Sequence, residues 1–185
     1  MSFTDAWHKI VLPWETPRVT NDPDDPGGPT AYGISKRYNP RWEGWQYYSQ
    51  SPPGVWFCIN QPAAAVAAWN WYEHRWHYLR CDQMPDALGL YVFDTSILWG
   101  AKGAGLWLQE GVNAFTDSTR PPIFADGIIG PRTVAAVQQL RTPEVIGVIG
   151  LMASERIVHH LVNDAGPRRE FLAGHIRRSI EVAAL

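Results

Sequence analysis

The earliest apolar residues of the chain follow the spacing of a helix. They recur at i, i+3, i+4 and i+7, which places them on one helical face: Trp7, Ile10, Val11 and Trp14. The pattern predicts a helix over residues 4–14 with Thr4 as its N-cap. Pro13 lacks a backbone N–H and should weaken or bend the last turn. Glu15 therefore lies at the helix end, where the chain leaves regular structure.

Most of the remaining chain is also predicted to be helical. Asn60 followed by Pro62 is typical of a helix start. That helix should end near residue 79 and bury four apolar side chains: Val66, Trp69, Trp76 and Leu79. Further helices are expected over residues 88–99 and 101–115, from residue 131, and over 143–163 and 167–183.

Residues 16–32 interrupt this helical pattern near the N-terminus. They are dense in Pro, Gly, Asp and Asn, which favours a loop or a set of tight turns. Short extended segments at 18–20 and 30–34 are expected to pair as a small hairpin, and Ser35 to cap a short helix that ends before Pro40. The predicted fold class is mainly α, with a small β-hairpin or Gly-rich loop near the N-terminus.

Composition and net charge limit the functional classes to which this protein can belong. The 185 residues are 45% hydrophobic and 18% charged, as in a globular protein that needs no disulfide framework. The net charge of -2 gives no reason to expect a nucleic-acid partner. We expect no secretory signal and no integral membrane segment, because no apolar run approaches the roughly 20 residues of a membrane span.

Arginines are concentrated near the C-terminus, and they have two interpretations. The group comprises Arg156, Arg168, Arg169, Arg177 and Arg178. A solvated helix face is favoured over a dedicated binding patch.

The strongest candidate chemistry combines Glu15 with the acidic, glycine-rich loop that follows it. Glycoside cleavage needs an acid that protonates the leaving oxygen and a second polar group on the opposite face of the sugar. Glu15 follows Trp14 at a helix end, where partial desolvation favours the protonated form of a carboxyl. An Asp in a solvated turn stays ionised, and the Thr30 hydroxyl can hold the water. Asp24 and Asp25 are both candidates for the second carboxylate.

A family resemblance strengthens this interpretation. Glu15 followed by the segment NDPDDPGGPTAYGIS resembles the signature of glycoside hydrolase family 108, a Glu-Gly-Gly motif and then Asp-Pro-Gly-Gly-x-Thr-x-x-Gly-Ile-Thr. The resemblance extends from about residue 3 to 179. Further similar motifs follow in the same order: Trp76 with Asp82-Gln83-Met84-Pro85, Phe93-Asp94, Leu108-Gln109, Asp126-Gly127-Ile128-Ile129-Gly130-Pro131-Arg132-Thr133, and Phe171-Leu172-Ala173-Gly174 with Arg177.

The resemblance implies a fold, an activity and a set of site residues. Proteins of this family are N-acetylmuramidases with a lysozyme-like helical fold, found among phage endolysins and bacterial secretion activators. By resemblance, Glu15 is the catalytic acid, and Asp25 and Thr30 occupy the positions of the motif Asp and Thr. Residues 1–85 would form the catalytic part, and 86–185 a helical peptidoglycan-binding-like part packed with it into one compact unit. The expected substrate-binding residues are Asp24, Gly27, Gly28 and Tyr32.

The sequence departs from the family pattern directly after the catalytic position. Thr16 and Pro17 replace the two glycines of the Glu-Gly-Gly motif, and Arg18 stands where an aromatic residue is usual. Asp24 competes with Asp25 because it lies nine residues after Glu15 and six before Thr30, but Asp25 fits the Pro-Gly-Gly register. The alternatives are a weakened or non-catalytic peptidoglycan-binding or tail-associated protein, and a lytic transglycosylase.

The expected activity is hydrolysis of the β-1,4 bond between N-acetylmuramic acid and N-acetylglucosamine in bacterial peptidoglycan. We expect no cofactor and no metal, because His74 and His77 lack a convincing third ligand. The protein is expected to be a monomer that is made in the host bacterial cytoplasm, acts at the periplasmic cell wall, and depends on a phage holin to reach it. The aromatic residues between 42 and 57 either stack on sugar rings or fill a core.

Overall fold

The computed structural model describes residues 1–22, 27–163 and 169–185 of the chain. The first helix, α1, combines an α-helical turn (Phe3–Ala6), a π-helical segment (Trp7–Val11) and a last α-helical turn (Leu12–Trp14). The other helices are α2 (Gln61–Tyr78), α3 (Asp86–Asn113), α4 (Pro131–Gln138), α5 (Thr142–Asn163) and α6 (Arg169–Ala183). The strands are β1 (Thr30–Ala31), β2 (Ile34–Ser35), β3 (Tyr48–Gln50) and β4 (Trp56–Cys58). Short 3-10 segments cover Glu43–Tyr47 and Cys81–Gln83. The expected mainly α fold with a small hairpin near the N-terminus is confirmed.

The π-helical segment of α1 has a cause in the sequence. The Leu12 N–H donates to the carbonyl of Trp7, five residues earlier. Pro13 follows, and its ring cannot donate to the carbonyl four residues before it and would collide with that carbonyl in a regular helix. A wider turn before the proline removes the collision. The disturbance therefore lies one turn earlier than expected, and the last turn, Leu12–Trp14, is α-helical. The expectation that Thr4 caps the helix was wrong, since the helix begins at Phe3.

A tight hairpin follows the acidic loop. Strands β1 and β2 pair antiparallel, with Ala31 opposite Ile34. The two turn residues, Tyr32 and Gly33, have φ values of 50° and 68°, as in a type I′ turn. The predicted pairing of 18–20 with 30–34 is confirmed at one bridge, between Thr20 and Thr30. The predicted helix cap at Ser35 was wrong, because Ser35 lies in β2 and its hydroxyl donates to the Gly27 carbonyl at 2.5 Å.

The chain divides into two compact units, and the boundary falls within α2. Residues 3–74 form one, called here the N-terminal unit; Met1–Ser2 and Arg75–Leu185 form the other, the C-terminal unit. Asn60 caps α2 as its sequence suggests, accepting from the Ala63 N–H at 3.2 Å. The expected burial of Val66 was wrong: its side chain is 60% exposed, while Ala64, Ala68 and Tyr72 are buried.

The C-terminal unit is built on α3, α5 and α6, which pack together. Gly100 interrupts α3 with φ 74° and ψ 165°, at the point where the sequence predicts a boundary between two helices. Asp94 on α3 is completely buried and binds two guanidinium groups, Arg156 at 2.7 Å and Arg178 at 2.7 Å. The interpretation of these two arginines as a solvated face was therefore wrong. Periodicity cannot reveal a carboxylate partner that lies 62 and 84 residues away.

One helix carries a long apolar stretch that the sequence analysis did not expect. Residues Thr142–Val162 of α5 have a mean hydropathy of 1.4, and by length and composition alone this stretch is sufficient to cross a membrane. One such helix is weak evidence for a span, because core helices of soluble proteins pass the same test.

Candidate active site

Glu15 is positioned by the end of α1. Its N–H still donates to the Val11 carbonyl at 2.8 Å, and its own backbone has turned to an extended conformation, with φ -110° and ψ 119°. The side chain is half-buried. The last helical bond therefore holds the Glu15 backbone at the point where the chain changes direction.

The carboxyl group of Glu15 is seated against Gly33, in the turn of the β1–β2 hairpin. A side-chain carbon at Gly33 would contact Oε2 of Glu15, would lie 2.6 Å from its Cδ, and would lie 3.0 Å from the Tyr72 hydroxyl. Hydrogen is therefore the only substituent that this site admits without movement of its neighbours. The positive φ of 68° independently favours glycine here. We call the surface formed by Gly33 and the Tyr72 hydroxyl the glycine seat.

Tyr72 fixes the turn that forms the glycine seat. Its ring is 1% exposed, and its hydroxyl donates to the Tyr32 carbonyl at 2.5 Å. On the other side, the Tyr32 N–H donates to the Thr16 carbonyl at 2.8 Å. Burial is the main cause that raises the pKa of the Tyr32 phenol. The Tyr32 side chain is 4% exposed and lies in the core of the N-terminal unit. Its expected role in substrate binding stays a prediction.

The two described glycines of the Pro-Gly-Gly loop, Gly27 and Gly28, accept hydrogen bonds from side chains of the hairpin that follows them. The Ser35 hydroxyl binds the carbonyl of Gly27, which is buried. The Thr30 hydroxyl donates to the Gly28 carbonyl at 3.0 Å. Gly28 has φ 64°, and no atom of the described residues lies within 4 Å of the position where a side chain would start. Both candidate second carboxylates, Asp24 and Asp25, lie outside the described residues.

Comparisons with known proteins identify the family. The family profile described as Glycosyl hydrolase 108 matches residues 8–100, which include Glu15, the loop and the hairpin. The chain belongs to the glycosyl hydrolase 108 family. Among solved structures, the Brucella abortus protein entitled "Structure of Brucella abortus SagA" is similar, with a TM-score of 0.70 and 22% sequence identity over 98% of this chain and 91% of that chain. A search of curated proteins gave no match. The expected lysozyme-like helical fold is confirmed, and the protein is a glycoside hydrolase by family.

The two residues that follow Glu15 in this family member are Thr16 and Pro17, and hydrogen bonds hold the backbone at both. The Thr16 carbonyl accepts from the Tyr32 N–H, and the Pro17 carbonyl accepts from the Tyr48 hydroxyl at 2.9 Å. Burial, and after it the nearby Cys58, raises the pKa of Tyr48, which keeps the phenol protonated and able to donate. The departure from Glu-Gly-Gly is thus compatible with a fixed backbone next to Glu15.

The aromatic segment of this family member mainly fills the core of the N-terminal unit. Trp42, Trp45 and Tyr48 are buried, and the Trp42 and Trp45 rings meet edge to face with centroids 5.2 Å apart. Their indole N–H groups donate to backbone carbonyls, Trp42 to Ala67 at 3.3 Å and Trp45 to Asn39 at 3.0 Å. The alternative of sugar stacking is left to Tyr47 and Trp56, which are half-buried, and to Phe57, which is exposed.

The C-terminal motif of this family member is a turn held by one glutamine. The Gln109 amide donates to the Asp126 carboxylate at 3.0 Å, to the Ile128 carbonyl at 3.1 Å and to the Thr133 hydroxyl at 3.1 Å, and it accepts from the Gly127 N–H at 2.7 Å. The bond from Gln109, followed by that from the Ile128 N–H, lowers the pKa of Asp126. In the part of the chain that the structure describes, no three His, Cys, Asp or Glu side chains are grouped to hold a metal.

The sequence pattern predicted a role for Glu15, which stays a prediction, but it did not reveal the residues that its carboxyl group lies against. Gly33 was predicted as part of an extended segment over 30–34, although a glycine within a short predicted strand is a signal for a turn. Tyr72 gave no distinguishing signal, because a tyrosine on a helix face usually belongs to a core.

Proposed function

We propose that the protein is an N-acetylmuramidase that hydrolyses the β-1,4 bond between N-acetylmuramic acid and N-acetylglucosamine in peptidoglycan. The observation that carries the proposal is the glycine seat. It lies against the carboxyl of the half-buried Glu15, in a family of glycoside hydrolases. A general acid must be held at a fixed place relative to the bond it protonates, because small displacements lower the rate steeply.

In the proposed mechanism, Glu15 protonates the bridging oxygen and Asp25 is the second carboxylate, with Asp24 as its competitor. Thr30 assists by orienting water. Its hydroxyl proton is already donated to the Gly28 carbonyl, which leaves the oxygen lone pairs to accept from a water molecule. The lack of described neighbours at Gly28 supports a close approach of the glycan to the backbone there, and Gly27 and Tyr32 are proposed as further substrate-binding residues.

The biological setting is proposed from the same activity. The protein would act as a phage endolysin: made as a monomer in the host cytoplasm, it would reach the periplasmic wall with the help of a holin. Residues 1–85 would carry the catalytic part. Residues 86–185, including the Gln109-centred turn, would form the helical peptidoglycan-binding-like part.

The test is Glu15→Gln in a turbidity assay on permeabilised Gram-negative cells, with release of reducing sugar from purified sacculi as the second measurement. Glu43→Gln is the matched control, since it removes an exposed carboxylate from the same unit. We expect loss of lysis by Glu15→Gln alone, at unchanged thermal stability. Lysis by a folded Glu15→Gln variant at the rate of the control would remove Glu15 from the mechanism.

Two further measurements separate the alternatives. A lytic transglycosylase would leave anhydromuramoyl ends, which mass spectrometry of the released fragments detects. Retention of the unmodified protein on sacculi without any release of sugar would instead support a non-catalytic wall-binding protein.

A further inference from the structure

Lys36 is held in an unusual position for a surface lysine. Its ammonium nitrogen lies 4.3 Å from the ring centroid of Trp56 and 5.4 Å from that of Trp45. Attraction to the ring faces therefore fixes its position, as in cation–π pairs generally. Among the residues that the structure describes, no carboxylate pairs with it. Within the described ranges, its positive charge is thus placed by neutral rings and not by an ion pair.

The same lysine is attached directly to the proposed catalytic loop. It follows Ser35 at the end of β2, and its N–H donates to the Pro29 carbonyl at 2.8 Å. Ser35 pairs with Thr30 in the hairpin, and Gly33 is the turn residue directly before β2. Three residues of extended chain span roughly 10 Å. The backbone of Lys36 therefore lies about that far along the hairpin from Gly33, which forms the glycine seat against Glu15.

We propose that Lys36 is a specificity-determining residue that binds a carboxylate carried by the peptidoglycan strand. This inference rests on the proposed function, because it names a charged group of the substrate at that same site. A long-lived ion pair with a protein carboxylate would mask the charge, whereas the indole rings hold it and leave it available. Carboxylates occur in peptidoglycan on the stem peptides and, where a stem is missing, on the lactyl groups. A neutral chain of N-acetylglucosamine has none.

The test compares enzyme variants on native sacculi and on sacculi whose carboxylates have been converted to amides with a carbodiimide and ammonium. Lys36→Met removes the charge and keeps a flexible, apolar side chain against the indoles. Lys36→Arg keeps the charge. Lys9→Met is the matched control, because it removes an exposed lysine from the same unit.

We expect Lys36→Met to lower kcat/KM on native sacculi roughly tenfold or more, as the loss of a charge-assisted hydrogen bond implies, and to do so through KM. On amidated sacculi, the variant and the parent protein should be equally active. Lys36→Arg and Lys9→Met should behave like the parent on both substrates. Strands stripped of stem peptides by an amidase identify the source: a persistent defect assigns the lactyl carboxylate, and its disappearance assigns the stem peptide.

The outcomes distinguish this inference from the function on which it rests. An equal loss by Lys36→Met on native and amidated sacculi would show that Lys36 only supports the tryptophan cluster, and would overturn the inference while leaving the muramidase intact. Full activity of Lys36→Met on native sacculi would overturn it as well. Absence of hydrolysis by the parent protein on either substrate would refute the proposed function and the inference together.

Discussion

Substitution of Gly33 by alanine tests the placement of the proposed catalytic acid without altering the acid itself. The new methyl carbon would contact Oε2 of Glu15 and lie 2.6 Å from its Cδ and 3.0 Å from the Tyr72 hydroxyl. The hydroxyl is buried and bonded, whereas the carboxyl is the end of a flexible side chain. Glu15 should therefore move.

The Gly33→Ala substitution should have two effects that can be measured separately, a loss of stability and a loss of activity. A non-glycine residue at φ 68° costs about 1–2 kcal/mol in backbone strain. Displacement of the carboxyl by about 1 Å should lower the rate of hydrolysis by roughly 100-fold. Gly54→Ala is the matched control, because Gly54 has φ 88° in the same unit but meets no atom within 4 Å. It carries the strain without the collision.

Urea denaturation and release of reducing sugar from sacculi measure the two parts. We expect both alanine variants to lose stability and only Gly33→Ala to lose most of its activity. The double variant Glu15→Ala/Gly33→Ala should recover part of the stability lost by Gly33→Ala, since the colliding carboxyl is gone. Equal activities of Gly33→Ala and Gly54→Ala would show that the glycine seat does not position Glu15.

Three other substitutions test contacts described above. Tyr72→Phe leaves the Tyr32 carbonyl without its buried donor and should lower the free energy of unfolding by about 1–3 kcal/mol in urea, with reduced hydrolysis. Asp94→Asn leaves two buried guanidinium groups without a counter-charge, and a loss of about 3–5 kcal/mol is expected by thermal or urea denaturation. Hydrogen bonds from Arg120, and then from Arg141, hold the pKa of Glu144 well below its usual range. Its stabilising effect is therefore present above the unfolded-state pKa of about 4.3 and is lost as the pH falls further, so Glu144→Gln should show a shallower decrease of Tm in acid.

Each of these variants has a control in the same chain. Tyr78→Phe alters an exposed tyrosine on α2 and should leave stability unchanged. Glu181→Gln breaks an exposed ion pair and should cost no more than about 0.5 kcal/mol. Glu155→Gln removes an exposed carboxylate from α5 and should keep the acid dependence of Tm. A variant that matches its control would show that the contact in question contributes little.

The sequence predicted those parts of the fold that depend on local chemistry. The break between two helices near residue 100 follows from a glycine that no helix accommodates easily, and the start of α2 follows from an Asn cap. The helix α1 was also expected, because its apolar spacing is regular. Local signals of this kind act within a few residues, so they can be read directly from the chain.

The features that the sequence did not reveal depend on contacts between distant residues. The burial of Arg156 and Arg178 requires Asp94, which belongs to another helix. The position of Glu15 requires Gly33 and Tyr72, and the expected burial of Val66 failed because three alanines and a tyrosine define the inner face of α2. Apolar periodicity shows that one face of a helix is apolar, but it cannot show which side chains of other elements will pack against that face.

The π-helical segment of α1 has a consequence for the orientation of Glu15. Such a segment corresponds to one residue more than a regular α-helix would use over the same rise. Because each helical residue turns the chain by about 100°, deletion of one residue within Trp7–Val11 would rotate everything before it by about that angle relative to Glu15. Phe3 and Ala6, now buried, would then be directed away from the core. Because of the extra residue in the π-helical segment, the start of α1 is buried in the apolar interior. At the other end of the same short helix, the Glu15 carboxyl group lies against the hairpin.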